Sequence, residues 1–196
     1  AALLMMRKET AKVFDLDDEP GPMREAYGYR SGFGQGCLLA RRLVQAGVRF
    51  VEVSLGGWDT HQDNFETIEG KAPELDVAVS TLIQDLRSKG LYERTVVLLT
   101  SEFGRTPTLQ GNDGRDHNPH AFTMWMAGGG VKGGLRHGQS DDYGFYAARD
   151  KVHVHDLHAT LLALLGLNHE QLTFRHAGRD FRLTDVHGNV VEEIFA

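Results

Sequence analysis

Apolar runs alternate with polar, glycine-rich stretches along this chain, and the period changes from run to run. From Gln35 to Ala46, Cys37, Leu38, Leu43 and Val44 form a helical stripe, with Gly47 placed to end it. Val48-Arg49-Phe50-Val51-Glu52-Val53 is β-branched and half alternating, which predicts a strand running into the polar loop that ends Trp58-Asp59-Thr60-His61. Leu75, Val79, Leu82, Ile83 and Leu86 recur at helical spacing, so a helix is expected from Pro73 to about Lys89, closed by Gly90. Thr95 to Thr100 predicts a second strand. Ala121 to Ala127 predicts a third, ended by Gly128-Gly129-Gly130. Asp156 reads as the N-cap of a helix over Leu157 to Leu165, with Gly166 after it. From Gly178 the chain reads as a polar hairpin or extended tail turning at His187-Gly188-Asn189.

Strands and helices joined by loops with polar cargo argue an α/β fold. Residues 1–30 are expected to be irregular or weakly helical, broken at Glu19-Pro20-Gly21-Pro22, and residues 31–196 to form the α/β part. The length of 196 residues suits one ordinary domain or two small ones.

The apolar and charged fractions are those of a soluble globular protein. A net charge of −6 and the lack of any Lys/Arg block argue against a nucleic-acid partner. No apolar run reaches the roughly 18 residues of a membrane span, and Ala1 to Met6 is too short for a signal peptide. The start at Ala1 without an initiator Met suggests a piece of a longer protein. Cys37 is the sole cysteine and lies in an apolar helical pattern, which reads as a small core residue. Composition says nothing of oligomeric state.

Ten histidines is a high count, and histidine is both the commonest metal ligand and a frequent acid or base. The densest chemistry lies in Val96 to His120, where an apolar strand breaks into Ser101, Glu102, Arg105, Arg115, Asp116, His117 and His120. Asp59 and His61 follow the first predicted strand, Glu102 follows the second, and His117 lies just before the third. Ligands bind at the carboxyl ends of strands in open α/β sheets. Asp59, His61, Glu102 and His117 therefore form a candidate mixed carboxylate and imidazole shell for a divalent metal ion, zinc, manganese or calcium. Each alone has an ordinary reading: a turn aspartate, a cap or ion-pair glutamate, a satisfied core histidine. Arg105 and His120 are candidates for holding the oxygens of a sulfate or phosphate ester, since guanidinium groups take such anions bidentately. Arg115 reads as a loop anchor. Gly128 to Gly134 lacks the Gly-Lys-Ser/Thr ending of a nucleotide loop and reads as a turn or close backbone packing. His153, His155 and His158 read as structural.

GGWDTH, TSEFGRTP, GRDHNPHAFTMWMAGGGVKGG and DLHATLLALLGLNHEQLTFRHAGRDFRLTDVHG together resemble the bacterial domain-of-unknown-function family 1501, from about Tyr27 to the C-terminus. That family is often described as sulfatase-like and placed in the alkaline phosphatase superfamily. The resemblance implies the C-terminal part of an alkaline-phosphatase-like mixed sheet flanked by helices, in an exported bacterial protein. It implies that Asp59 and His61 bind one metal and that His117 completes the site. It places Glu102-Phe103 where the superfamily carries an Asp-His pair, so one ligand of a two-metal site is replaced. The superfamily nucleophile would lie upstream of this sequence. Two functions remain: a metal-dependent hydrolase of sulfate or phosphate esters, or a binding or scaffold module that keeps the fold without the chemistry.

Overall fold

The computed structural model describes residues 11–196. Among them are four α-helices, α1 (Gly21–Ala26), α2 (Gly32–Gln45), α3 (Asn64–Ser88) and α4 (Val154–Leu164). Eight short strands pair as four two-stranded antiparallel ladders: β1 (Val97–Leu99) with β4 (Trp125–Ala127), β2 (Gly104–Arg105) with β3 (His117–Asn118), β5 (Gln139–Ser140) with β6 (Ala147–Arg149), and β7 (Thr173–His176) with β8 (Arg179–Arg182). The expected mix of helices and strands is present. A single mixed sheet is not found among the described residues. The chain divides into two compact units, the first of residues up to Thr95 with Leu109–Arg115, the second of Val96–Thr108 with Asp116–Ala196.

The first unit is helical. Ser31 starts α2 by accepting a hydrogen bond from the Gly34 N–H, satisfying one of the donors a helix start leaves open. Gly34 itself is required, because a Cβ there would lie 1.7 Å from the Tyr27 carbonyl oxygen. The core gathers Tyr27, Cys37, Leu38 and Ala78, with Met23, Phe33, Val53 and Leu82 packed around them. A polar seam crosses it. Arg41 Nε donates to Asp85 Oδ2 at 2.8 Å and the Tyr27 hydroxyl donates to the same oxygen at 3.1 Å. Arg41 and Arg42 both reach Glu19 at 2.7 Å. Burial works against the charge on Glu19, but the two guanidinium partners outweigh it and hold the carboxyl below its usual range. Burial, together with the Asp85 charge, pushes the Tyr27 phenol well above its ordinary value.

Two expectations are corrected in this unit. Val48 to Val53 has no ladder partner among the described residues. It keeps the burial alternation of a strand, with Val51, Val53 and Leu55 turned partly inward, and Val53 packs on the helical core. Its alternation was legible, but pairing is a property of a second segment. The long helix begins nine residues before Pro73, which lies inside it. Proline is favoured in a first turn and costly in a helix interior, and here the start is fixed instead by tertiary hydrogen bonds. The Asp63 and Asn64 N–H groups donate to the carbonyls of Asn112 and Asp113, at 2.9 and 3.1 Å.

In the second unit the predicted strand at Thr95 to Thr100 forms as β1, and only Trp125–Ala127 of the predicted third strand pairs with it. Three consecutive glycines, Gly128, Gly129 and Gly130, have positive φ, and the turn receives the chain end: Lys132 N–H donates to Ile194 O at 2.7 Å. This glycine run thus serves a turn at positive φ, since a Cβ on Gly130 would meet nothing closer than Leu164 Cδ2 at 3.9 Å. The cap of α4 also differs from expectation. His153 is the N-cap, its side chain accepting from the His155 N–H, and Asp156 sits at the third helical position, returning a bond to the His153 N–H. This is a capping box with imidazole in the usual Ser/Thr place, so Asp156 belongs to the helix start as the third helical residue, and the cap lies three residues before the expected one. The hairpin also comes earlier than expected, turning at Ala177-Gly178, both at positive φ. Among the described residues no helix is long and apolar enough to cross a membrane.

Candidate functional site

In the first unit, Asp59 and His61 are joined. His61 Nε2 lies 3.0 Å from Asp59 Oδ1, and His61 Nδ1 lies 2.6 Å from Gln110 Oε1. Each ring nitrogen faces an oxygen. A neutral imidazole has one N–H and one lone pair. With Nδ1–H donating to Gln110, Nε2 faces the carboxylate, and that arrangement favours a positive charge between the two, a proton on Nε2 or a cation in its place. A divalent cation meets that need, and the amide oxygen plays the outer role that fixes tautomer and ring orientation in metal-bound histidines. The donor types therefore fit a mixed N/O metal site.

The backbone holds this pair in place. Residues 109–115 fold back on themselves through a Gln110–Gly114 bridge. Arg115 N–H donates to Thr60 O at 3.0 Å, and a Cβ on Gly114 would lie 1.9 Å from His61 O. Arg115 stacks over Phe65, 5.1 Å from its centroid. Gln110 and Gly114 were missed in the sequence. Their only signal is the turn-forming Gly111-Asn112-Asp113-Gly114, which predicts a reversal but not what it lies against.

In the second unit, β2–β3 pairing sets Arg105 opposite His117. Phe103 supports both: its ring centroid is 4.3 Å from that of His117, and the Arg105 guanidinium lies 5.5 Å from the Phe103 centroid. The Asp116 carboxylate accepts from the His117 N–H at 2.8 Å. Gly104 allows this closeness, since a Cβ there would be 2.4 Å from Ala121 O. His120 is stitched to a neighbouring loop: its carbonyl accepts from Ala147 N–H at 3.1 Å and its ring lies 5.0 Å from Tyr146. Glu102 is exposed on the bend before β2. The structure thus joins Asp59 to His61 and sets Arg105 against His117.

A family model described as a protein of unknown function (DUF1501) matches residues 1–195. The chain belongs to this family. Nearly the whole sequence of this DUF1501 chain is covered, including both groups of residues above. No curated protein and no solved structure matches it.

Proposed function

We propose that this DUF1501 chain supplies part of a metal-dependent hydrolase of sulfate or phosphate esters, of the sulfatase-like, alkaline-phosphatase-like kind, in an exported protein. The observation that carries the reading is the His61 ring set between the Asp59 carboxylate and the Gln110 amide oxygen. Asp59, His61 and His117 offer a carboxylate and two imidazoles, donors that suit zinc or manganese better than calcium, and Glu102 is the fourth donor in this reading. A bound divalent ion would supply Lewis acidity toward an ester oxygen and offset developing negative charge. Arg105 would orient the ester by bidentate hydrogen bonds to non-bridging oxygens, with Phe103 beneath restraining its guanidinium. His120 would hold a further oxygen. The nucleophile is taken to come from outside this sequence.

Metal content of the purified protein tests the reading. Wild type is expected to retain a divalent ion through gel filtration, and Asp59→Ala, His61→Ala and His117→Ala to lose it. Unchanged metal content in these variants would mean that the ligands are elsewhere. Turnover by the full-length protein is then sought on sulfate and phosphate monoesters with added zinc, manganese, calcium and magnesium.

One observation favours a second reading, a binding or scaffold module without chemistry. Phe103 places an apolar ring against His117, at the position where the resemblance expects a histidine ligand. Absence of turnover with every metal, together with tight binding of a glycan or protein, would select it.

A further inference from the structure

The β7–β8 hairpin carries a charge opposite to that of the chain. The whole sequence has a net charge of −6, yet Thr173–Arg182 holds Arg175, Arg179, Arg182 and His176 against Asp180 alone. Every residue of the hairpin except Arg182 is exposed. The register places Phe174 opposite Phe181 and His176 opposite Arg179, so these four alternate onto one face. The His176 ring stacks near Phe174, with 16° between the planes, and the Arg179 guanidinium lies 4.6 Å from the Phe181 centroid. Phe174 remains 70% exposed. A solitary two-stranded hairpin is marginally stable in water, and this one leaves its aromatic side in solvent.

We propose that this face binds an anionic polysaccharide, a sulfated glycan strand, outside the metal-ligand residues. Flat, exposed aromatic rings stack on the apolar faces of sugar rings, and the Arg179 guanidinium beside them pairs with sulfate oxygens. The ion pairs of Arg175 with Asp180 and Arg179 with Asp185 are solvent-exposed. Such pairs are worth little, so their exchange for sulfate costs little. The open shape suits an extended polymer rather than a small ligand. Naming this polymer as substrate rests on the hydrolase reading; the binding itself does not.

The test is binding of the full chain to dextran sulfate, with uncharged dextran and single-stranded poly(dT) as comparators at matched salt. The expected result is binding to dextran sulfate that weakens with salt, little binding to dextran, and weaker binding to poly(dT). Arg179→Ala is expected to weaken binding at least tenfold and flatten the salt dependence. Phe174→Ser should weaken it severalfold. Unchanged circular dichroism would show that the exposed substitutions leave the fold intact. Asp59→Ala/His61→Ala should bind as wild type; if it does while wild-type full-length protein turns over no ester with any metal, the hydrolase reading fails and the glycan face stands. No binding to dextran sulfate, equal binding by the arginine variant, or tighter binding to poly(dT) would overturn the proposal.

Discussion

The side-chain oxygen of Gln110 lies 2.6 Å from Nδ1 of His61, a residue 49 positions earlier. An amide oxygen only accepts, so the contact places an N–H on Nδ1. With Nδ1 as donor, Nε2 faces Asp59. The amide therefore acts on any ligand of His61 without touching it.

Gln110→Ala is expected to lower divalent-metal affinity 10- to 100-fold, the usual effect of removing such an orienting partner. Isothermal titration with zinc or manganese measures it. Thermal stability of the apo protein should change little, since Gln110 is only partly buried and such positions tolerate change. Metal affinity equal to wild type would remove Gln110 from the site.

Gly114→Ala tests the same contact through the backbone. The added methyl would meet the His61 carbonyl oxygen at 1.9 Å, so the two backbones must separate. The expected cost is about 1–3 kcal/mol, in the range of overpacking, read by urea denaturation. Metal affinity should fall with it, because His61 is displaced relative to Gln110. Full stability and full affinity together would show that the loop relaxes freely.

Periodicity carried the sequence reading where an element's own burial makes it. The helical stripe through Cys37, Leu38, Leu43 and Val44 falls within α2, and β1 lies within its predicted bounds. It failed where a distant segment decides the outcome. Val48 to Val53 has the pattern of a strand and no ladder partner among the described residues, and the α3 start depends on carbonyls at Asn112 and Asp113. The site divides in the same way. Asp59 and His61, two residues apart on a polar loop, were legible as donors, and they do meet. Gln110 was not, because an amide in a turn-rich segment carries no mark of what it will face. His153 was read as structural, and it caps a helix, a role that its residue type alone does not announce.

Cys37 is 3% exposed in the helical core, and burial pushes its thiol up to about 11. Reactivity belongs to the thiolate. Labelling by a disulfide reagent at pH 8 should therefore be slow in native protein and fast in denaturant. Rapid native labelling would show that the α2–α3 core opens readily.

Arg41 and Asp85 are nearly fully buried, with side chains 2% and 1% exposed. Truncating one partner leaves the other charge uncompensated, a loss of about 3–5 kcal/mol. Arg41→Ala should lower the unfolding free energy, read by urea denaturation, by that amount. Tyr27→Phe removes only one bond to the same carboxylate and should cost about 1 kcal/mol. Equal losses in the two variants would show that desolvation of the guanidinium cancels its attraction to Asp85 and Glu19.

Asp156 ties the start of α4 to the C-terminal segment. Its carboxylate accepts from the N–H groups of Asn189, at 2.7 Å, and His153, at 2.9 Å. Burial works against its ionisation, but the hydrogen bonds from Asn189 and His153 outweigh it, and the carboxyl is held below its usual value. A depressed carboxyl stabilises the fold above its unfolded pKa, near 3.9. That stability is lost as pH falls through the lower folded value. Asp156→Asn should therefore cost about 0.5–2 kcal/mol at pH 7, the range for a lost cap. The gap between variant and wild type should narrow below about pH 4. Paired thermal melts at pH 7 and pH 3.5 read both effects. A gap that stays constant across that range would assign the loss to the shape of the side chain and not to its charge.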